Sequence, residues 1–136
     1  NYVVGMAGKD GVDVRIITPG IPDKKLVYSV TRSYYADLVR NGVRIYEYTP
    51  GFCHCKISVA DDAVATCGTI NLDYRSFYHH FENGCVLYRD PAVLEIRRDF
   101  EAMFEQCEEV TEKYRPARKQ TLRIGQQILR LFAPLL

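Results

Sequence analysis

The chain has 136 residues, 47% of them apolar and 26% charged, enough for one domain with a buried core and typical of a globular protein. A formal net charge of +1 excludes the broad basic field that drives duplex DNA binding. Five cysteines, Cys53, Cys55, Cys67, Cys85 and Cys107, make an odd count with no even ladder, which argues against a secreted disulfide scaffold and for free thiols in a reducing compartment.

No signal peptide and no apolar run long enough to span a bilayer is present. The chain opens on Asn1-Tyr2-Val3-Val4 without an initiating Met and reads as an excised piece. Val12 to Thr18 alternates like a strand and closes at Pro19-Gly20. Pro22-Asp23 opens a helix whose apolar residues, from Leu26 to Val39, recur at three- and four-residue steps, and Asn41-Gly42 stops it. Val43 to Tyr48 is a second strand, so the three elements predict a parallel pair with a crossover helix.

Phe52 to Ala60 reads as a third strand, Asp61-Asp62 as a tight reversal and Ala63 to Cys67 as the returning strand. Asn71 to Tyr78 is a short helix or an ordered loop, and Gly84 to Tyr88 a fifth, buried strand. Asp90 as N-cap and Pro91 at the first helical position start a helix predicted to run to about Tyr114. Thr121 to Leu131 is a last amphipathic helix. It lies in a segment with Arg118, Lys119, Arg123 and Arg130 and no acid after Glu112, which suits either packing on the sheet or an anionic lipid surface. The fold class is α/β, a mixed sheet flanked by helices, with residues 1–115 as a catalytic domain and 116–136 as a basic tail.

Chemistry concentrates between His54 and Glu82. On a strand, His54 and Lys56 stand two apart and leave the same face. An imidazole can attack phosphorus or protonate a leaving alkoxide near neutral pH, and an ammonium beside it can hold a non-bridging phosphate oxygen. Gly68 offers backbone access for a phosphate, Thr69 a hydroxyl and an N–H, and Asn71 an amide. Glu82 can accept the second ring N–H of His54 and fix its tautomer. Each of these residues has a plainer role alone: packed histidine, surface lysine, hairpin turn, strand terminator. A zinc site of Cys53, His54, Cys55 and Cys67 is disfavoured, because the C-x-C spacing turns both sulfurs away from His54.

Together, the residues His54, Lys56, Asp61, Gly68, Thr69 and Asn71 form H-x-K-x4-D-x6-G-[ST]-x-N, six fixed positions that resemble the HKD motif of the phospholipase D superfamily. Ile17 to Lys25, Gly42 to Tyr48, Asn71-Leu72-Asp73-Tyr74-Arg75-Ser76 and the ending Leu131 to Leu136 resemble the C-terminal half of bacterial cardiolipin synthases. The resemblance implies one half of a phospholipase D-like α/β/α sandwich. It also implies a phosphohistidine intermediate without metal or other cofactor, and two motifs facing each other, the second from the same parent chain or from another copy. Lys56 and Asn71 then bind phosphate, Asp61 is structural or outer-shell, and Glu82 takes the place of the downstream acid. The implied reaction joins two phosphatidylglycerols into cardiolipin and releases glycerol at a bacterial cell membrane, with the catalytic part facing the cytoplasm and no nucleic acid as partner. Cys55 departs from the small residues commoner at that position, and tolerance is expected. His79 and His80 supply no second motif, since no Lys follows at the right step. Two other readings fit the same residues: a homodimeric single-motif HKD nuclease, and a pairing module that functions only inside a larger enzyme.

Overall fold

The computed structural model describes residues 2–22 and 24–115. Its elements in chain order are α1 (Tyr2–Lys9), β1 (Arg15–Pro19), α2 (Lys25–Ser33), α3 (Tyr35–Arg40), β2 (Arg44–Tyr48), β3 (Ile57–Ala60), β4 (Val64–Gly68), α4 (Tyr74–Tyr78), β5 (Gly84–Tyr88), α5 (Pro91–Phe104), β6 (Cys107–Glu109) and a 3-10 turn (Thr111–Tyr114). The described residues form two compact units, one of residues 2–52 and 107–115, the other of Cys53–Gln106. The single mixed sheet expected from sequence is instead two three-stranded sheets, β1-β2-β6 and β3-β4-β5.

In the first unit, β1 and β2 pair in parallel, Arg15 opposite Arg44 through Pro19 opposite Tyr48, with α2 and α3 as the crossover. The predicted single helix is broken at Tyr34. Side-chain hydroxyls compete for its carbonyls: Ser29 Oγ donates to Lys25 O, Thr31 Oγ1 to Val27 O and Ser33 Oγ to Val30 O, a pattern that weakens and bends helices. Gly42 ends the second piece with φ +85°, and a Cβ there would meet Gly8 O at 2.8 Å. Tyr35, Leu38, Val39, Val43, Ile45 and Val110 make the core. Val43, Ile45 and Val110 are fully buried, each worth about 1.5–3 kcal/mol relative to exposure. The Tyr35 hydroxyl meets Thr18 Oγ1 at 2.7 Å, and its ring packs edge-on against Tyr114 at 5.0 Å. Glu47, 4% exposed, is held by a two-pronged Arg32 guanidinium at 2.8 and 2.6 Å.

The helix predicted to reach Tyr114 stops at Phe104. The residues beyond it pair with β2 in antiparallel register, Tyr46 opposite Glu109, and Val110 N–H donates to Ile45 O at 2.9 Å. Long-range pairing and the burial of Val110 override a helical continuation that local pattern alone supports. The start of α5 is as expected: the Asp90 carboxylate accepts from Ala92 N–H at 2.9 Å, with Pro91 at the first position.

The second unit is an antiparallel meander, β3-β4-β5, with α5 packed on it. Ala65 on β4 and Val93 on α5 are buried. The strand β5, expected to be buried, is largely open: Val86 is 71% and Tyr88 64% exposed. It is an edge strand of the β3-β4-β5 sheet, paired on one side only among the described residues. No helix of the described residues is long and apolar enough to cross a membrane. The predicted helix at Thr121–Leu131, and the whole 116–136 tail, lie outside the described residues.

Candidate active site

The residues predicted from sequence all fall in the second unit. His54 and Lys56 precede β3, which begins only at Ile57, so they stand on an irregular lead-in and not on the ladder itself. The lead-in is tied to β4 at one point, where Gly68 N–H donates to Lys56 O at 3.1 Å. The two side chains nevertheless converge. Lys56 Nζ lies 2.8 Å from His54 Nε2 and 2.8 Å from His54 O. An ammonium has donors only, so in a hydrogen bond between the two Nε2 is the acceptor. The exposed imidazole thus turns Nε2 toward a cation. This is the arrangement that a phosphate oxygen can enter, taking over the ammonium and freeing Nε2.

Gly68 has a different reason to be glycine than the one read from sequence. It sits opposite Gly84 in the β4/β5 register. A Cβ on it would lie 2.3 Å from Asn83 O and 2.6 Å from Gly84 Cα. The missing side chain lets two strands approach, and the space beside it belongs to β5. Thr69 is likewise engaged: its N–H donates to Asn83 O at 2.9 Å, its hydroxyl donates to a Glu82 carboxylate oxygen, and its hydroxyl oxygen accepts from Asn83 N–H at 3.0 Å. Gly68 and Thr69 therefore build the scaffold that carries Glu82, and the Thr69 N–H expected for phosphate is already used.

Glu82 is 13% exposed at its side chain. The Thr69 hydroxyl, then the Ser76 hydroxyl, hold its carboxyl below the usual glutamate range, and the positive fields of His80 and Lys56 act in the same direction against a partial burial that opposes it. Glu82 Oε1 lies 3.7 Å from His80 Nδ1. Asn71 donates its backbone N–H to Ser76 Oγ at 3.3 Å and has an exposed side chain. Ser76, buried, is the junction that sequence reasoning missed. It links Asn71 to Glu82, and its own N–H donates to Asp73 Oδ1 at 2.8 Å. The signal was present: Asp73 and Ser76, three apart at the start of α4, form an N-capping pattern.

Asp61 is not brought into this cluster. It occupies the turn at the other end of β3, roughly 17 Å of extended chain from Lys56. Asp61 and Asp62 both take positive φ, 51° and 52°, and Ala63 N–H closes the turn on Ala60 O at 3.1 Å. Aspartate tolerates this conformation better than most residues, which accounts for the pair as hairpin chemistry.

A family model described as the phospholipase D-like domain of cardiolipin synthase matches residues 3–104. The chain belongs to this family. Among its relatives, an uncharacterized protein of Streptococcus mutans is 43% identical over 135 residues, covering 99% of this chain and 29% of its own length. A cardiolipin synthase of Geobacillus kaustophilus is 39% identical over 131 residues, covering 96% of this chain and 26% of its own. The chain thus spans under a third of the relatives it matches. A crystal structure of a phospholipase D family member, Nuc from Salmonella typhimurium, superposes with a TM-score of 0.70 at 16% identity, over 79% of this chain and 70% of that one. The α/β fold is that of the phospholipase D family.

Proposed function

We propose that this phospholipase D-like chain supplies one half of a phosphodiester-exchange centre that transfers a phosphatidyl group between two phosphatidylglycerols, giving cardiolipin and glycerol. The observation that carries the reading is the 2.8 Å approach of the Lys56 ammonium to His54 Nε2 in an exposed position. The relatives named as cardiolipin synthases support the lipid substrate. A second HKD half, from the same parent chain or another copy, faces this one and supplies the partner histidine. Lys56 holds a non-bridging oxygen, and the Asn71 amide adds donors to the same phosphate.

One histidine of the pair attacks phosphorus. The P–N bond forms, the P–O bond to glycerol breaks, and the other histidine gives the leaving alkoxide its proton. The hydroxyl of a second phosphatidylglycerol then attacks the phosphatidyl-histidine, passing its proton to the histidine that lost one, and the P–N bond breaks. Exclusion of water at an anionic membrane surface favours this alcohol over hydrolysis. Glu82, ionised at neutral pH, acts from behind the phosphate residues, where its field stabilises the positive charge of Lys56.

The test follows cardiolipin formed from phosphatidylglycerol vesicles by the protein with both halves present. His54→Ala and Lys56→Ala each reduce turnover by at least about a thousandfold. Near-normal turnover in His54→Ala overturns the assignment. Cleavage of single-stranded DNA in place of cardiolipin formation replaces the lipid reading with that of a nuclease.

A further inference from the structure

Cys67 and Cys85 stand directly opposite one another in the antiparallel β4/β5 register, outside the cluster just described. Directly opposed residues share a face of the sheet, so both sulfurs project to the same side. The two flanking bonds, Thr69 N–H to Asn83 O and Arg89 N–H to Ala63 O, define which pairs exchange hydrogen bonds. By alternation, Cys67 and Cys85 form such a pair, whose α-carbons lie about 5.5 Å apart, within the range of about 4.4–6.8 Å that a disulfide spans, while the wider β-carbon separation of a hydrogen-bonded pair makes the closed bond strained and readily reduced. Cys85 is exposed and Cys67 partly so, and neither is engaged in a disulfide. Among the described residues, no group of three His, Cys, Asp or Glu side chains is placed to hold a metal, so the chemistry on offer is that of two thiols.

We propose that Cys67 and Cys85 are a reactive dithiol that closes to a disulfide on exchange with a low-molecular-weight disulfide and chelates a trivalent arsenical. The thiolate of exposed Cys85 attacks the reagent's S–S bond and expels one reagent thiolate, leaving a mixed disulfide. The Cys67 thiolate then attacks the Cys85 sulfur and expels the second. Two protein thiols are oxidised to one disulfide, and one reagent disulfide is reduced to two thiols. The bond joins the two ends of residues 68–84, the segment that carries Thr69, Asn71, Ser76 and Glu82, and so clamps that scaffold.

The experiment incubates the reduced chain with excess glutathione disulfide and maps its peptides without reduction. The expected product is a linked peptide pair containing Cys67 and Cys85, reopened by dithiothreitol. A glutathione adduct that persists on Cys85, or a link that joins Cys55 or another cysteine in place of this pair, overturns the proposal. A second readout uses phenylarsine oxide. The unaltered chain binds it one-to-one, and Cys67→Ser or Cys85→Ser, each with unchanged circular dichroism, weakens binding at least tenfold. Equal binding by the folded variants also overturns it.

Discussion

Replacing Gly68 with Ala discriminates between two physical reasons for a glycine in the motif. A methyl at this position starts 2.3 Å from Asn83 O and 2.6 Å from Gly84 Cα, both backbone atoms of the neighbouring strand. Ordinary carbon–oxygen contact requires roughly 1 Å more, so the strands must part locally. The opening stretches Thr69 N–H to Asn83 O and Asn83 N–H to Thr69 Oγ1, now 2.9 and 3.0 Å. Two weakened hydrogen bonds at about 1 kcal/mol each, with overpacking of at least about 1 kcal/mol, give roughly 3 kcal/mol. Native-state amide exchange measures this locally, which matters in a chain of two compact units. Exchange of the Thr69 and Asn83 amides should speed up by about two orders of magnitude in Gly68→Ala. Unchanged protection together with weakened inorganic phosphate binding would refute the close-approach argument and restore the reading of Gly68 as a phosphate access point.

Three further outcomes are expected. Arg32→Ala leaves the Glu47 carboxylate buried without its two-pronged partner and should cost about 3 kcal/mol by urea unfolding, whereas Arg32→Met with Glu47→Leu should recover most of it. Because the Glu82 carboxyl is held below the ordinary value of 4.5, its contribution to stability is complete above that pH and disappears as pH falls through the lowered folded value. Glu82→Gln should therefore flatten the acid limb of a stability-against-pH curve below about pH 4.5, and a limb of unchanged steepness contradicts the assignment. Asp61→Gly should change stability by under about 0.5 kcal/mol and spare turnover, while Asp61→Val, forced to a φ near 51°, should cost about 1–2 kcal/mol; loss of turnover in Asp61→Gly would return this residue to the chemistry.

The local patterns were legible wherever a short-range rule decides the outcome. Asp90-Pro91 capped a helix, Gly42 stopped one, Asp61-Asp62 turned a hairpin, and the β1 to β2 crossover followed from alternation and helical period. The proximity of His54 and Lys56 was legible too, because two-residue spacing places side chains together whether or not a ladder forms. Tertiary structure decided what depends on distant partners. Residues after Phe104 became a strand because β2 offered an edge and the core took Val110. The single sheet became two, and β5 lay open where its apolar letters suggested burial. Most consequential were Gly68 and Thr69, whose letters fit phosphate contact but whose groups are spent on Asn83, Gly84 and Glu82. A sequence states which donors and small residues exist, whereas only the folded chain decides which neighbour reaches them first, because hydrogen bonds and close contacts are settled at distances of about 3 Å between residues far apart in order.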